Sequence, residues 1–356
     1  MYNKRKTILI TGVAGFIGGA LAKRILTDRN DYRVIGIDNL NDYYDLNIKK
    51  MRLNEIKCIV KNSDWAFVEG DIAERKIIDE VFAKYKPDIV INLAAQAGVR
   101  YSITNPDVYI NSNVVGFYNI LEACRHSYDN GEEGVQHLVY ASSSSVYVSN
   151  KKTPYSTDDK VDNPVSLYAA TKKTDELLAH AYSKLYDLPC TGLRFFTVYG
   201  PAGRPDMAYY GFTDKLVKGE KINIFNYGHC ERDFTYIDDI VEGIMRVFSR
   251  APERKVGDDG LPIPPYSLYN IGNGCPVKLL DFVRILHEEL INAGVLPKNH
   301  DINKLIELVP MQPGDVPVTY ADTSALEKEF GYKPTTSLRQ GLKAFATWYK
   351  TYYESI

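Results

Sequence analysis

Cysteine is scarce and scattered in this chain: Cys58, Cys124, Cys190, Cys230 and Cys275 are odd in number, and no two lie at metal-ligand or redox spacing. The pattern argues against a disulfide scaffold and a metal site and fits a reducing cytoplasm. An excess of positive charge is also lacking. Lysine and arginine number 43 against 45 aspartate and glutamate, a formal charge of −2, which withholds the counterion release that nucleic-acid binders exploit. Long apolar runs are missing too. The opening stretch MYNKRKTILITGVAGFIGGALAKRIL sets basic residues before an apolar run, but Gly12, Gly15, Gly18 and Lys23 interrupt it too early for a signal segment or a membrane span. The expectation is a cytoplasmic protein with no nucleic-acid, membrane or metal partner, acting on a small molecule.

What is present is 356 residues of ordinary globular composition, 45% apolar and 25% charged, enough for a large core in one or two domains. Short apolar runs, TILIT, RVIGID, DIVINLAA, HLVYAS and TGLRFF, alternate with helical patterns through the first 200 or so positions. Continuous apolar strands separated by helices predict a parallel sheet covered on both faces. Leu21, Ala22, Ile25 and Leu26 repeat at helical spacing, as do Ile77, Ile78, Val81 and Phe82, and Val114, Tyr118 and Leu121; these are expected core stripes. After Phe196 proline and glycine accumulate in YGPAGRPDM and PERKVGDDGLPIPPY, and a smaller second lobe is expected to begin there. Helical stretches from Leu279 to Leu290 and from Leu338 to Tyr352 complete it. No internal repeat or low-complexity tract is visible.

The first run leads directly into Gly12, Gly15 and Gly18, a GxxGxxG loop between a predicted strand and a predicted helix. Glycine permits the tight turn and lets backbone N–H groups approach a pyrophosphate, while the helix N-terminus adds partial positive charge. Asp38, twenty residues beyond Gly18 and at the end of the second run, can accept hydrogen bonds from both adenosine ribose hydroxyls. Asn39 and Leu40 follow it rather than arginine, so a 2′-phosphate would meet an uncompensated carboxylate, and NAD is favoured over NADP. Phe16 and Ile17 within the loop and Leu93, Ala94 and Ala95 at the end of DIVINLAA join as candidate cofactor contacts. Asp71 and Ile72, after the run AFVEG, either flank the adenine or are a loop acid beside a core residue.

YAATK supplies Tyr168 and Lys172 four residues apart, on one face of a helix. The pair lies downstream of the glycine loop and of ASSSSVY, which follows HLVYA at the sheet edge where ligands collect. Removing hydride from a carbinol carbon requires its hydroxyl to lose a proton, and a phenol ordinarily ionises near pH ~10. Lys172 and a positive nicotinamide ring would favour the phenolate, while a serine hydroxyl orients the sugar oxygen.

Together GVAGFIG, Asp38, ASSSSVY, YAATK and RFFTVYGP resemble the extended short-chain dehydrogenase/reductase family of NAD-dependent sugar-nucleotide epimerases and dehydratases over nearly the whole chain. The resemblance implies a Rossmann-type doubly wound parallel sheet with a smaller α/β C-terminal substrate lobe. The cofactor domain is expected over 1–196 with a returning segment at about 233–262, and the UDP-sugar lobe over 197–232 and 263–356. Counting back four from Tyr147, Ser143 matches the family's catalytic serine or threonine, with Ser144 and Ser145 beside it; Tyr168 and Lys172 match its base and lysine, which also touch NAD. Val148 departs from the family's usual glycine after VY, which puts the local turn in doubt.

Related 4,6-dehydratases and UDP-glucuronate decarboxylases carry acids directly after that serine or threonine. Ser144 and Ser145 stand there instead, and hydroxyls are poor bases, so the resemblance implies 4-epimerisation. VYGPAGRPDMA and AAQAGVRYS are similar to stretches of UDP-glucuronate 4-epimerases. Arg204 then offers a guanidinium for the sugar carboxylate, with Thr197 as a second donor, or is a solvated loop arginine. Arg100 is a second candidate, for the carboxylate, a phosphate or a structural acid. For the nucleotide the resemblance points to Arg232, suited to a diphosphate or to a salt bridge with Asp233 or Asp238; to Asp315, a ribose acceptor or a turn acid after Pro313 and Gly314; and to INIFNYG around Phe225. It also implies a homodimer through the helix near Val114 to Arg125 and the one carrying Tyr168, and a place in polysaccharide biosynthesis. UDP-glucose or UDP-N-acetylhexosamine epimerisation, and NAD binding without catalysis, are the competing readings.

Overall fold

The β-branched runs become strands whose alternate side chains enter two separate cores. The computed structural model describes residues 5–29, 31–60, 64–131, 133–312 and 315–354. In it β1 (Lys6–Thr11), β2 (Tyr32–Asp38), β3 (Trp65–Glu69), β4 (Ile89–Asn92), β5 (His137–Ser143) and β6 (Cys190–Phe195) pair in parallel in the order β3, β2, β1, β4, β5, β6. Ile8 and Ile10 pack on one face with Leu21, Ala22 and Ile25 of α1 (Phe16–Asp28), while Leu9 packs on the other with Phe117 and Leu121. Burial on both faces explains the unbroken apolar runs, and each buried Leu or Ile contributes about 1.5–3 kcal/mol.

A seventh strand, Tyr266–Ile271, pairs in parallel with β6 at the sheet edge. It lies beyond the returning segment expected at 233–262, because its YSLYNI pattern is only half-buried and lacks a continuous apolar signal. Of that segment, the helix Ile237–Phe248 packs on α1 through Ile240, Val241 and Ile244. Residues 233–236 instead continue the strand Glu231–Tyr236, which lies between Thr197–Tyr199 and Pro276–Lys278 in a separate three-stranded sheet. With the helices Ala208–Lys218, Leu279–Asn292 and Leu338–Glu354 this small sheet builds an aromatic core in which Phe234 stacks on Phe282 at 4.0 Å.

The expected stripe of Val114, Tyr118 and Leu121 needs correction. The chain makes a π-helical stretch at Ile110–Val115 and then the helix Gly116–His126, and the buried side is Asn113, Phe117, Ile120, Leu121 and Cys124, with Tyr118 exposed. Apolar residues occur all round this helix, so spacing alone leaves the phase of the buried face undetermined. No helix among the described residues is long and apolar enough to cross a membrane.

Candidate active site

Strand order reverses between β1 and β4, and a cleft of about 620 Å³ opens at their carboxyl ends, where open parallel sheets bind ligands. Thr11 ties the two strands there: its hydroxyl donates to Asn92 Oδ1 at 2.6 Å and accepts from the Ala94 N–H at 3.0 Å. Gly12 turns with φ +69°, and a Cβ on it would stand 2.7 Å from the Ala94 nitrogen; a Cβ on Gly18 would collide with the Gly12 carbonyl oxygen. Gly15 caps α1 without a side chain, leaving the first turn open to the cleft. Asp38 accepts from Ala14 N at 3.0 Å and Leu40 N at 2.9 Å, which fixes its carboxylate while lone pairs remain for a ribose. Asn39 donates to Asp71 at 2.8 Å, and Asp71 also accepts from Ala73 N, so this acid is at once loop anchor and cleft wall. With Phe16, Ile17, Ile72, Leu93, Ala94 and Ala95 also lining the cleft, the donor set and the glycine cradle fit an adenine dinucleotide.

Ser166 caps the helix Leu167–Tyr186 by accepting from Ala169 N, which starts that helix one turn before Lys172 and presents Tyr168 to the same cleft. The Tyr168 ring meets Tyr109 edge-on at 6.0 Å. Lys172 is buried, and its ammonium donates to the Ala141 carbonyl at 2.9 Å and to Asp175 at 3.1 Å. Two of its three N–H groups are thus used, and the third remains for the cleft. Burial pushes the Asp175 carboxyl up to about 7 against the pull of Lys172, and its Oδ1 has no partner among the described residues.

Ser143 Oγ accepts from the Ser145 N–H at 3.2 Å and lines the cleft with Ser144 and Ser145, whose own Oγ is buried without a partner among the described residues. Ser142 points the other way, donating to Glu176 at 2.6 Å. Glu176 in turn receives Arg194 through Nε and Nη2, both at 2.8 Å; Arg194 Nη1 donates to the Tyr147 hydroxyl, which donates to Asn270. Burial opposes the charge on Glu176, but the two Arg194 hydrogen bonds hold its carboxyl below the usual range. This buried network underlies both the serine turn and the Tyr168 helix.

Thr197, Arg204, Arg100, Arg232 and Asp315 line the far side of the cleft. Arg204 stands in a loop, partly exposed to the cleft, and Asp206 holds it in a fork, Nε to Oδ1 at 3.0 Å and Nη2 to Oδ2 at 2.5 Å. Burial works against the guanidinium charge, but Asp206 outweighs it and holds the arginine pKa above its ordinary value. Arg232 pairs with Asp315 at 3.2 Å rather than with Asp233 or Asp238; Asp233 instead accepts three backbone N–H groups, from Asn273, Gly274 and Ala321. Arg100 approaches the same Asp315 at 3.5 Å and lies over the Phe225 ring at 4.9 Å. Phe225 packs against Arg100 without itself lining the cleft, and the turn that follows it has positive φ at Asn226 and Tyr227. Pro313 and Gly314 lie outside the described residues.

Sequence reasoning passed over Tyr43, Tyr101 and Asp206, all in the cleft wall, and Asp175 beneath it. Asp206 carried a local signal, an acid two residues after an arginine. Tyr43 carried none, since its partners Asp206 and Tyr101 are distant in sequence. Among the described residues no group of three or more His, Cys, Asp or Glu could hold a metal.

A glycine-cradled switch point with Asp38 at the end of β2, and a Ser, Tyr and Lys set at the same sheet edge, define a dinucleotide-dependent enzyme of the short-chain dehydrogenase type. The chain belongs to the NAD dependent epimerase/dehydratase family, whose model matches residues 8–272. It is 46% identical to UDP-glucuronate 4-epimerase 4 of Arabidopsis thaliana over 99% of this chain and 77% of that protein. It is likewise 46% identical to the CapI protein of Staphylococcus aureus over 98% and 99% of the two chains. Among solved structures it resembles UDP-glucuronic acid 4-epimerase of Bacillus cereus in complex with UDP-glucuronic acid and NAD, with TM-score 0.81 and 30% identity over 98% of this chain and all of that one.

Proposed function

We propose that this protein is a UDP-glucuronate 4-epimerase that uses NAD and interconverts UDP-glucuronate and UDP-galacturonate. The observation that carries the reading is the convergence in one cleft of Asp38 and the glycine loop, of Ser143 and Tyr168, and of Arg204 with part of its guanidinium uncommitted. Asp38 would hold the adenosine ribose of NAD and the loop N–H groups its pyrophosphate, and the bound group would supply the hydride acceptor and donor for carbon 4.

Tyr168 accepts the proton of the carbon-4 hydroxyl, so that the C4–O bond becomes a carbonyl as the C4–H bond breaks. Ser143 orients that oxygen, and Lys172 lines the same cleft one helical turn on. After the 4-keto sugar turns its other face, Tyr168 returns the proton to the same oxygen. Substrate and product differ only in configuration, with no net oxidation. Ser144 and Ser145 orient the sugar and offer no base for elimination. Thr197 and Arg204 hold the carboxylate so that its bond to carbon 5 lies near the carbonyl plane, which suppresses loss of carbon dioxide from the β-keto acid. Arg232 binds the diphosphate and Asp315 the uridine ribose, with Arg100 beside them.

Epimerisation of a neutral UDP-hexose is the second reading, and one observation favours it: Asp206 already engages Arg204. Incubating purified protein with UDP-glucuronate, UDP-glucose or UDP-N-acetylglucosamine, without added nucleotide, separates the two. UDP-galacturonate as the principal product supports the first and also indicates retained cofactor; turnover of neutral sugars alone refutes it.

We also propose a homodimer, supported by the exposed apolar side chains of Val115, Tyr118, Leu177 and Leu185 on the two helical segments concerned. A cytoplasmic location is supported by five free cysteines, and a role in polysaccharide biosynthesis by the chemistry of the product as a uronic-acid donor.

A further inference from the structure

An arginine meant to grip a carboxylate gains little if its head wanders, because immobilising a long side chain on binding weakens the complex. Arg204 does not wander. Its guanidinium has five N–H groups, one on Nε and two on each Nη. Asp206 takes the Nε–H and one Nη2–H, while Nη1 has no hydrogen-bond partner among the described residues. Asp206 is itself braced from the other lobe: the Tyr43 hydroxyl donates to its Oδ2 at 3.3 Å, and the Tyr43 ring lies against Tyr101 at 4.9 Å. Burial, then the nearby Asp206 charge, push the Tyr43 phenol up to about 12, so it remains a donor at neutral pH. All four side chains line the cleft.

We propose that Asp206 is a positioning residue for substrate selection: by clamping the Nε–Nη2 edge of Arg204, with Tyr43 behind it, it presents the Nη1 edge to the carboxylate of a uronic-acid sugar. The inference rests on the proposed function, since only a sugar carboxylate would use that edge. It also resolves the apparent competition between Asp206 and substrate, because the two carboxylates occupy different edges of one guanidinium. A neutral sugar has nothing to offer the presented edge.

Removing Asp206 has two opposed effects. It frees Arg204 to sample other rotamers, which raises KM for UDP-glucuronate, and it deletes a like charge near the sugar carboxylate, which lowers KM. Asp206→Asn separates them, for the amide oxygen still accepts from Arg204 while the charge is gone. The test measures kcat, KM and the ratio of UDP-pentose to UDP-galacturonate for the full-length protein, Asp206→Ala, Asp206→Asn and Tyr43→Phe, with UDP-glucuronate and UDP-glucose. With UDP-glucuronate, Asp206→Ala is expected to raise KM roughly three- to tenfold at nearly constant kcat, and to raise the pentose fraction. Asp206→Asn should restore most of both losses, Tyr43→Phe should show a smaller loss of the same kind, and kinetics with UDP-glucose should not change. Unchanged or lower KM in Asp206→Ala overturns the proposal while leaving the epimerase reading intact, as does equal damage with both sugars, the mark of a merely structural role. Wild-type protein inactive on UDP-glucuronate removes the function beneath it, and the inference falls too.

Discussion

Arg194→Met tests the buried network beneath the active site. Arg194 and Glu176 are each about 98% buried, and the carboxylate accepts two 2.8 Å hydrogen bonds from the guanidinium and one of 2.6 Å from Ser142. Methionine fills similar volume but leaves Glu176 charged, with only Ser142 and the half-buried Lys173 for company. Breaking a buried pair by removing one partner costs about 3–5 kcal/mol. With an unfolding entropy of about 2.1 cal/mol/K per residue over 356 residues, near 0.75 kcal/mol/K, that loss lowers the thermal midpoint by about 4–7 °C.

The pH dependence sharpens the test. In the native chain Glu176 is held below its unfolded value of about 4.3, so its stabilising contribution is present above that pH and lost as pH falls. Without Arg194 the buried carboxyl rises instead, so the deficit of the variant should be largest near pH 8 and shrink toward pH 4.5. Urea unfolding at both pH values, followed by tryptophan fluorescence, measures it. Glu176→Leu with Arg194→Met should recover most of the loss. A single variant within 1 kcal/mol of wild type, or a deficit independent of pH, would refute the assignment of this pair as the charge-compensated base of the site.

Tyr168→Phe should lower kcat about 10²- to 10⁴-fold while leaving co-purified NAD in place, measured by product formation and by cofactor released on denaturation; unchanged turnover removes Tyr168 as the base. Arg204→Ala or Thr197→Ala should raise the ratio of UDP-pentose to UDP-galacturonate, read by chromatography, and an unaltered ratio removes their role against decarboxylation. His137 is buried, with its ring nitrogens against the Phe248 carbonyl and Thr191 hydroxyl, and burial lowers its pKa from 6.5 to about 4. Between those values the unfolded chain binds the extra proton, so stability is lost as pH falls through that window, by up to about 3 kcal/mol. His137→Gln should abolish that slope in urea titrations at pH 7 and pH 4.5.

How far the molecule could be read in its sequence follows from where each signal resides. β1, β2, β4, β5 and β6 are largely buried on both faces, so the core requirement is written as uninterrupted runs, whereas the edge strands β3 and Tyr266–Ile271 are only partly buried, and Tyr266–Ile271 mixes polar residues in and carries no such run. The glycine loop is legible because Gly12 and Gly18 answer to backbone geometry within a few residues of themselves. Partner choice is not. Arg232 could have paired with the adjacent Asp233, but that carboxylate is committed to backbone N–H groups from two other loops, and Arg232 turns instead to Asp315, 83 residues away. Tyr43 reaches Asp206 across 163 residues, a contact set by the approach of the two lobes.

That approach is fixed by one arginine. Arg52, in the helix Leu46–Ile59 and 2% exposed, places all five of its N–H groups: Nη1 on the Ala14 carbonyl and the Tyr44 hydroxyl, Nε and Nη2 on the Ala202 carbonyl, and Nη2 also on that of Gly203. Ala202 sits at φ +53° in irregular chain, without the ladder that would hold a strand, so this guanidinium supplies hydrogen bonds that secondary structure does not. Arg204 follows directly, and its own clamp, Asp206, leads through Tyr43 back to the loop that begins at Asp38, whose carboxylate accepts from Ala14 N. The contacts therefore close a ring through Asp38, Ala14, Arg52, Gly203, Arg204, Asp206 and Tyr43. The ring joins Asp38 to Arg204 across the cleft: its links at Ala14 and at Gly203 are buried, while those of Asp206 to Arg204 and Tyr43 are exposed to the cleft.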